Sequence, residues 1–390
     1  MTKTRVVRPA RRMRNIQPFH VMAMLAAATA REKAGHPVIH LEVGEPDFPT
    51  PVEVVETGRA ALAAGRTRYT PALGLHALRE KIAAHYGPHD PGADRVIVTP
   101  GSSGALLLAF AAVLDSGDEV LLADPGYPCN ANMILLQGGV PRRVPCTART
   151  NYQLTAEAVA CHWTRKTRAV LLANPSNPTG STVSNEELRA IVKAVASKGG
   201  ILIVDEIYHG LVYDSAVETV LAHSNRAIVV NSFSKYYGMT GWRVGWMVAP
   251  KHLVPEIDKL AQNLFIAAST PAQYAALRAL DPDVRKTLEE RRTEFQRRRD
   301  YLVPALRVLG FKIPLMPEGA FYVYADCSAF TRDSERFCLE LLEKADVAIT
   351  PGLDFGRYRA RGHVRFSYAN TLPNLHEALR RIGAFCGSVT

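Results

Sequence analysis

One lysine in the chain has neighbours that would make its amine reactive. Lys235 lies in the segment SFSKYYGMTGWRVG, which spans Ser232–Gly245 and follows an apolar run typical of a buried strand. Partial burial and the positive charge of Arg243 both disfavour the protonated lysine. A neutral lysine amine is a nucleophile towards aldehydes. The hydroxyl groups of Ser232 and Ser234, together with the Arg243 guanidinium, would bind a dianionic phosphate.

An aldehyde beside a phosphate describes pyridoxal 5′-phosphate (PLP), and this cofactor also requires a carboxylate. The ring nitrogen of PLP must stay protonated if the ring is to accept electrons. Asp205 follows the apolar run 201–204, which predicts a strand, and a carboxyl at that position needs a partner. A helix N-cap is the alternative role for Asp205, and a solvated surface position is the alternative for Lys235.

The two segments VDEIYHG (Val204–Gly210) and SFSKYYGMTGWRVG resemble the class I/II aminotransferases, the PLP enzymes of fold type I. Further motifs in the same order extend the resemblance from about Gly44 to Arg365, which is nearly the whole chain. The resemblance implies that Lys235 is the catalytic residue, that it holds PLP through a Schiff base, and that Asp205 faces the ring nitrogen.

Strands and helices alternate over residues 95–250, which predicts a mostly parallel sheet with helical crossovers. Functional loops are then expected at the carboxyl ends of the strands. The resemblance implies an α/β fold with helices on both faces of this sheet, plus a smaller α+β C-terminal domain. The expected parts are an N-terminal arm and helix that pack with the small domain (1–45), a large PLP-binding domain (46–282) and the small domain (283–390).

Two further segments are candidates for binding the phosphate. The turn PGSSGA (100–105) opens a predicted helix, and a helix N-terminus attracts anions. Ser102 and Ser103 add hydroxyl donors, although many relatives have a lysine or threonine at the position of Ser103. Tyr69 precedes a loop, and the resemblance implies that it reaches the phosphate of a neighbouring subunit in a homodimer. Packing is the alternative role for Tyr69.

The resemblance places three side chains around the cofactor ring. Tyr127, in DPGYP, would stack on the ring, and a tyrosine that packs on the surface is the alternative. Asn177, in the proline-stiffened loop NPSNPTG, would donate to the 3′-oxygen, with an Asx-turn as the alternative. Tyr208 would donate to the same oxygen. Both bonds would favour the phenolate form of the cofactor.

Substrate recognition is expected from residues far apart in the chain. Arg365 lies in the alternating strand HVRFSYA, and its planar guanidinium matches a carboxylate with two bonds. The resemblance implies that Arg365, Asn177 and the backbone of Gly44 bind the substrate α-carboxylate. A salt bridge within the protein is the alternative for Arg365, and a structural turn is the alternative for Gly44. Phe321, in PEGAFYV, either borders the substrate pocket or packs in the core.

The composition is that of a globular protein. The 390 residues are 47% hydrophobic and 22% charged, with a net charge of +10. Six scattered cysteines show no metal-ligand spacing and indicate a reducing compartment. The run Val21–Ala30 is short and Ala-rich, so it predicts a helix rather than a signal peptide, and no run is long enough to span a membrane. We therefore expect a cytoplasmic protein without metal or membrane. Part of the positive charge belongs to a basic N-terminal arm (1–15).

The expected function is PLP-dependent transfer of an amino group between an L-amino acid and a 2-oxo acid by a ping-pong mechanism. The alternatives are an elimination enzyme on the same scaffold and a non-catalytic regulator that binds DNA, although the basic arm is too short for a winged helix. No nucleic-acid partner is expected. No residue for a distal substrate group can be identified. The resemblance places Phe19 and His20 near the substrate, and their apolar helix favours neutral or aromatic amino acids.

Overall fold

A computed structural model describes residues 7–214 and 216–387; the first six residues of the basic arm lie outside the described part. The described residues form twelve strands in three sheets. The strands are β1 (Ile39–His40), β2 (Val96–Thr99), β3 (Glu119–Asp124), β4 (Val140–Pro145), β5 (Thr167–Ala173), β6 (Ile201–Asp205), β7 (Ile228–Ser232), β8 (Gly245–Val248), β9 (Tyr322–Asp326), β10 (Val347–Ala348), β11 (Thr350–Pro351) and β12 (His363–Ser367).

Within the same described ranges, twelve α-helices connect these strands. They are α1 (His20–Lys33), α2 (Val52–Ala63), α3 (His76–His85), α4 (Gly101–Val113), α5 (Pro128–Leu136), α6 (Ala156–His162), α7 (Asn185–Ser197), α8 (Val254–Leu264), α9 (Thr270–Ala279), α10 (Pro282–Val308), α11 (Ser334–Ala345) and α12 (Leu372–Gly387). Their ends follow local chemistry. The hydroxyl of Ser184, for example, accepts the backbone N–H of Glu187 at 3.1 Å and so caps α7 as its sequence predicts.

The central sheet has seven strands in the order β2-β8-β7-β6-β5-β3-β4. Strands β3 to β7 pair in parallel, and β8 pairs antiparallel with both β2 and β7. The predicted α/β fold with a mostly parallel sheet is therefore confirmed. Strand β6 is almost entirely apolar and buried, as expected of a strand that helices cover on both faces.

The antiparallel direction of β8 matters for the site. Because β8 runs against its neighbours, its amino end lies beside the carboxyl ends of β2 and β7, where Gly245 pairs with both Thr99 and Ser232. The segment that precedes β8, including Arg243, therefore reaches the same edge of the sheet as the loops after β3, β5, β6 and β7. This is the edge at which ligands bind in open α/β sheets.

The C-terminal part forms a separate antiparallel sheet in the order β11-β12-β9. Its core includes residues of the N-terminal helix and strand, since Met24, Ala28, Ile39 and Leu41 belong to the same buried cluster as the C-terminal residues. The parallel pairing of β1 with β10 reinforces this connection. The loop after β1 is thereby held between the small sheet and the edge of the central sheet.

The described residues contain neither a helix that could cross a membrane nor a cluster of metal ligands. None of the helices in the described part of the chain combines the length and the apolar character that crossing a bilayer requires. Over the same residues, histidine, cysteine, aspartate and glutamate side chains form no group of three or more that could hold a metal ion.

Candidate active site

A cleft of about 760 Å³ opens at the carboxyl edge of the central sheet, between that sheet and the small sheet. Its volume lies within the range usual for sites that bind small molecules. It is lined by most of the side chains that the sequence singles out. These are Gly44, Ser102, Ser103, Tyr127, Asn177, Asp205, Tyr208, Ser234, Lys235, Arg243 and Arg365.

Two of the predicted cofactor-binding residues do not line this cleft. Ser232 is buried behind it, and its hydroxyl lies 2.9 Å from that of Ser234, so it contacts the site only through that serine. Tyr69 lies on the surface with 80% of its side chain exposed. Tyr69 therefore reaches nothing in the cleft of its own chain.

Lys235 lies just beyond the end of β7 with its amine inside the cleft. Its Nζ donates a hydrogen bond of 2.6 Å to the carbonyl oxygen of Gly44. The pKa of Lys235 is lowered to about 8, chiefly by burial and also by the cationic Arg365 and Arg243, while the carboxylates of Glu45 and Asp205 act in the other direction. A substantial fraction of the amine is therefore neutral at mildly alkaline pH, which is the state that attacks a carbonyl carbon.

Asp205, the last residue of β6, is the buried carboxyl of the cleft. The backbone N–H of Ile207 donates to its Oδ1 at 3.2 Å. Burial raises the pKa of Asp205 to about 7, and the nearby Glu206 raises it too, while Lys235 lowers it. A buried carboxyl with this pKa is poised to take up a cationic partner, because such a partner would restore the charged form.

The beginning of α4 and Arg243 form a cradle suited to an anion. Gly101, the first residue of α4, has φ of +68°, and a Cβ at this position would lie 2.5 Å from the Arg243 guanidinium. Ser102 and Ser103 follow at the amino end of the helix, where free N–H groups and the helix dipole attract negative charge. Arg243 itself has φ of +52°, a strained conformation for a residue with a side chain.

Arg365 is a buried arginine that has no ion pair among the described residues. Its Nη1 donates to Oδ1 of Asn177 at 3.0 Å, and its Nη2 donates to the carbonyl oxygen of Glu42. Its Nε is buried without any hydrogen-bond partner. An uncompensated buried guanidinium is costly. The expected alternative, a salt bridge within the protein, is not found in the described residues, and an anionic ligand in the cleft would supply the missing charge.

Tyr322 is a site residue that the sequence analysis missed. The guanidinium of Arg365 lies 4.3 Å from the centre of its ring, and its hydroxyl lies 2.8 Å from that of Tyr208. Its neighbour Phe321 is fully buried and does not line the cleft, although the Lys235 Nζ lies 6.0 Å from its ring. Period-two alternation was the available signal, because it places Tyr322 on the same face of the small sheet as Arg365 once the register of β9 and β12 is known.

Two donors face the cleft near Asp205. Burial raises the pKa of Tyr208 well above its ordinary range, so its hydroxyl remains protonated and able to donate. Asn177 accepts from Arg365 through Oδ1, which leaves its amide nitrogen as the donor end of the side chain. Both residues could therefore bind an oxyanion of a flat ligand that lies between them and Asp205.

Aromatic and backbone groups complete the walls. Tyr127 lines the cleft, and its ring packs edge-to-face on Phe19 at 6.0 Å. Phe19 also lines the cleft, whereas the His20 side chain lies away from it, 3.4 Å from Glu335. Gly44 leaves no room for a side chain, because a Cβ would collide with the Tyr322 hydroxyl. A larger residue at position 44 would displace both the loop and the tyrosine.

The fold and this cleft define an aminotransferase of class I and II. Residues 36–382 match the family model described as aminotransferase class I and II, and the chain belongs to this family. It is 40% identical to the valine–pyruvate aminotransferase of Mycobacterium tuberculosis, over 96% of this chain and 97% of that protein. It is 37% identical to the aspartate aminotransferase of Thermotoga maritima, over 97% of this chain and 99% of that protein.

Solved structures agree with this assignment. The crystal structure of an aminotransferase from Mycobacterium tuberculosis matches with a TM-score of 0.95 and 39% identity, covering 98% of this chain and all (100%) of that chain. The aspartate aminotransferase of Thermus thermophilus with maleate matches with a TM-score of 0.92 and 34% identity, covering 97% and 100%. The protein is an aminotransferase that exchanges an amino group between an amino acid and a 2-oxo acid, as the sequence predicts.

Proposed function

We propose that this aminotransferase works with PLP and that Lys235 is its catalytic residue. The observation that carries the proposal is the position of one buried lysine amine, with a pKa lowered to about 8, in the same cleft as Asp205 and the unpaired Arg365. When bound, PLP supplies an aldehyde for the lysine amine and a ring that accepts electrons from the substrate.

The residues of the cleft fit the parts of this cofactor. The α4 terminus with Ser102, Ser103 and Arg243 suits the phosphate, and Ser234, which Ser232 supports, adds a further hydroxyl. Asp205 accepts a hydrogen bond from the ring nitrogen and keeps it protonated. The Asn177 amide and the Tyr208 hydroxyl would donate hydrogen bonds to the 3′-oxygen of the ring. The Tyr127 ring would provide a stacking surface.

Substrate binding and proton transfer follow from the same geometry. Arg365 binds the α-carboxylate of the amino acid through its planar guanidinium, and Asn177 and the Gly44 backbone border the same position. The neutral Nζ of Lys235 takes the proton from the α-carbon and later returns a proton to the product. The fixed Arg365 and the buried walls orient the substrate for that transfer.

A reductive labelling experiment tests the role of Lys235. Borohydride treatment of the PLP-loaded protein, followed by peptide mapping, should attach the cofactor to Lys235. Lys235→Ala should abolish this label and lower turnover at least about 1,000-fold, because it removes both the nucleophile and the base. Lys251→Ala, at an exposed lysine paired with Asp94, is the control and should retain both the label on Lys235 and the turnover. A label on another residue, or transamination by Lys235→Ala, would contradict the proposal.

We also propose that the protein acts as a cytoplasmic homodimer in which Tyr69 completes the phosphate site of the partner. Exposed apolar side chains near Tyr69 support this: Leu264 and Ile266 lie where α8 connects to α9, and Thr270 at the start of α9 donates to the carbonyl of Arg68. The cysteines at positions 129, 146, 161, 327 and 338 are free thiols, which fits a reducing compartment.

The domain division that we propose is the one expected from the sequence. An N-terminal arm and helix (1–45) packs with a small domain (283–390), and a large domain (46–282) binds the cofactor. It is supported by the buried clusters, because one of them joins α1 and β1 to the small sheet while two others surround the seven-stranded sheet. The division falls near the start of α10.

A further inference from the structure

The proposed function assigns a role to each cationic side chain that lines the cleft in the described part of the chain. The cationic side chains among the described lining residues are Lys235, Arg243 and Arg365. Lys235 is the nucleophile, Arg243 lies beside the phosphate cradle, and Arg365 binds the α-carboxylate. No cation among these residues remains for a second carboxylate on the substrate. The charged lining residue without a role is Glu45, which is an anion.

The wall beside the substrate position is apolar. The first turns of α1 contribute Phe19, Met22 and Leu25, and α4 contributes Leu106 one turn after Ser102 and Ser103. Met22 leaves 55% of its side chain exposed. An apolar group bound against this wall would remove hydrocarbon surface of both partners from water, which is favourable.

A distal carboxylate in the same place would meet unfavourable conditions. It would lose water against apolar side chains without gaining a cationic partner, and burying an unpaired charge is costly. The carboxylate of Glu45 would repel it, because Glu45 lines the mouth of the cleft and is held by the hydroxyl of Thr240. The cleft therefore disfavours aspartate and glutamate on two independent grounds.

We propose that both substrates of this enzyme are monocarboxylic: an amino acid with an uncharged, apolar side chain and a 2-oxo acid of the same kind. The inference rests on the proposed function and deepens it. In a ping-pong exchange, donor and acceptor use the same cleft in turn, so one apolar wall selects both. The amino group leaves the donor as it becomes a 2-oxo acid and joins the acceptor as it becomes an amino acid, so no external oxidant is needed.

Binding of unreactive analogues tests the proposal without turnover. Isothermal titration of the PLP-loaded protein with 4-methylpentanoate and with glutarate compares an apolar monocarboxylate with a dicarboxylate of similar length. We expect the monocarboxylate to bind at least about tenfold more tightly. Equal affinities, or tighter binding of glutarate, would overturn the proposal.

Substrate kinetics with a charge variant provide the second test. The wild type should have kcat/KM for leucine and valine at least about 100-fold above those for glutamate and aspartate, and should prefer pyruvate to 2-oxoglutarate. Met22→Arg places a cation on the apolar wall and should shift the glutamate-to-leucine ratio of kcat/KM at least about tenfold towards glutamate. Val308→Arg adds the same charge at an exposed valine outside the cleft and should leave the ratio unchanged.

The outcomes separate this inference from the proposed function. If borohydride labels Lys235 but glutamate is used as well as leucine, the substrate inference is wrong and the proposed function stands. If Arg68→Ala then abolishes the use of glutamate, the missing cation comes from the exposed loop of a second subunit, which would also overturn the inference. If Lys235 is not labelled and no amino acid reacts, the proposed function fails first.

Discussion

At the scale of single residues, the protonation state of Lys235 sets the pH at which the enzyme can capture its cofactor. Because its pKa is lowered to about 8, the neutral fraction should rise from about one tenth at pH 7 to about nine tenths at pH 9. The rate at which PLP enters the cofactor-free protein should therefore rise through pH 8 and level off near pH 9. Stopped-flow absorbance would measure it. A rate that still rises tenfold per pH unit above 9 would indicate an ordinary lysine and contradict the prediction.

Asp205 should control the affinity for PLP with a pH dependence in the same direction, centred near pH 7. Its pKa is raised to about 7, so its carboxylate is available to the protonated ring nitrogen above pH 7 and is lost as the pH falls below it. Asp205→Asn should weaken PLP binding about tenfold to 100-fold at pH 8, because a charge-assisted hydrogen bond is lost, and much less at pH 6. Fluorescence titration at both pH values measures the effect.

The neighbouring carboxyl provides the control for that experiment. Glu206 is equally buried, and burial raises its pKa to about 8, but it binds Thr219 and the Val220 N–H and does not line the cleft. Glu206→Gln should change stability without a pH-dependent change in PLP affinity. If both variants weaken PLP binding equally, burial of charge near the site, rather than contact with the ring, is the cause.

The sequence predicts the site residues whose positions are set by their own segment of chain. Lys235 and Asp205 each follow an apolar strand, so their position at the edge of the sheet follows from their own segments. Tyr322 was missed because its role depends on contacts with Arg365 and Tyr208, which are distant in the sequence. Ser232 is expected at the phosphate because its hydroxyl shares a segment with Ser234 and Arg243, but it is buried and its hydroxyl lies 2.9 Å from that of Ser234, behind the cleft.

At the scale of elements, the amino end of α4 can be tested through its first residue. Gly101→Ala should push the Arg243 guanidinium out of the cradle, because the added Cβ would lie 2.5 Å from it, and should weaken PLP binding at least about tenfold. Gly65 is a matched control: its φ of +67° nearly equals that of Gly101, yet a Cβ there meets nothing within 4 Å. Gly65→Ala should cost a similar backbone strain without changing PLP affinity, as measured by fluorescence titration. An equal loss of PLP affinity in both variants would contradict the role of the cradle in binding the phosphate.

The sequence predicts which segments form strands and helices, but it predicts less well the direction of each strand and the strands with which it pairs. Alternation of strands and helices over residues 95–250 predicted the mostly parallel sheet. Periodicity does not report the direction of a strand, so the antiparallel pairing of β8 with β2 and β7 could not be derived. That direction is what brings Arg243 to the edge where Lys235 lies.

At the scale of the whole molecule, the exposed surface around Tyr69 supports the proposal that a second chain completes the site. Tyr69 is 80% exposed, and the side chains of Leu264 and Ile266 are each 50% exposed. Isolated exposed apolar residues are ordinary, but these three together support the proposal that a second copy of the chain covers this surface. A second copy related by twofold symmetry would present the same surface in return.

Mixed dimers would show whether Tyr69 acts across such an interface. In a dimer of one Tyr69→Ala chain and one Lys235→Ala chain, a site with intact Lys235 receives intact Tyr69 only if the tyrosine comes from the partner. Co-expressed chains with different affinity tags should therefore yield a mixed dimer with about half of the wild-type activity per dimer, because one of two sites is complete. The Tyr69→Ala homodimer should bind PLP at least about tenfold more weakly than the wild type, since the phosphate loses a donor. A mixed dimer whose intact-lysine site behaves like that of the Tyr69→Ala homodimer would place Tyr69 outside the partner's site and leave the exposed surface without a role in catalysis.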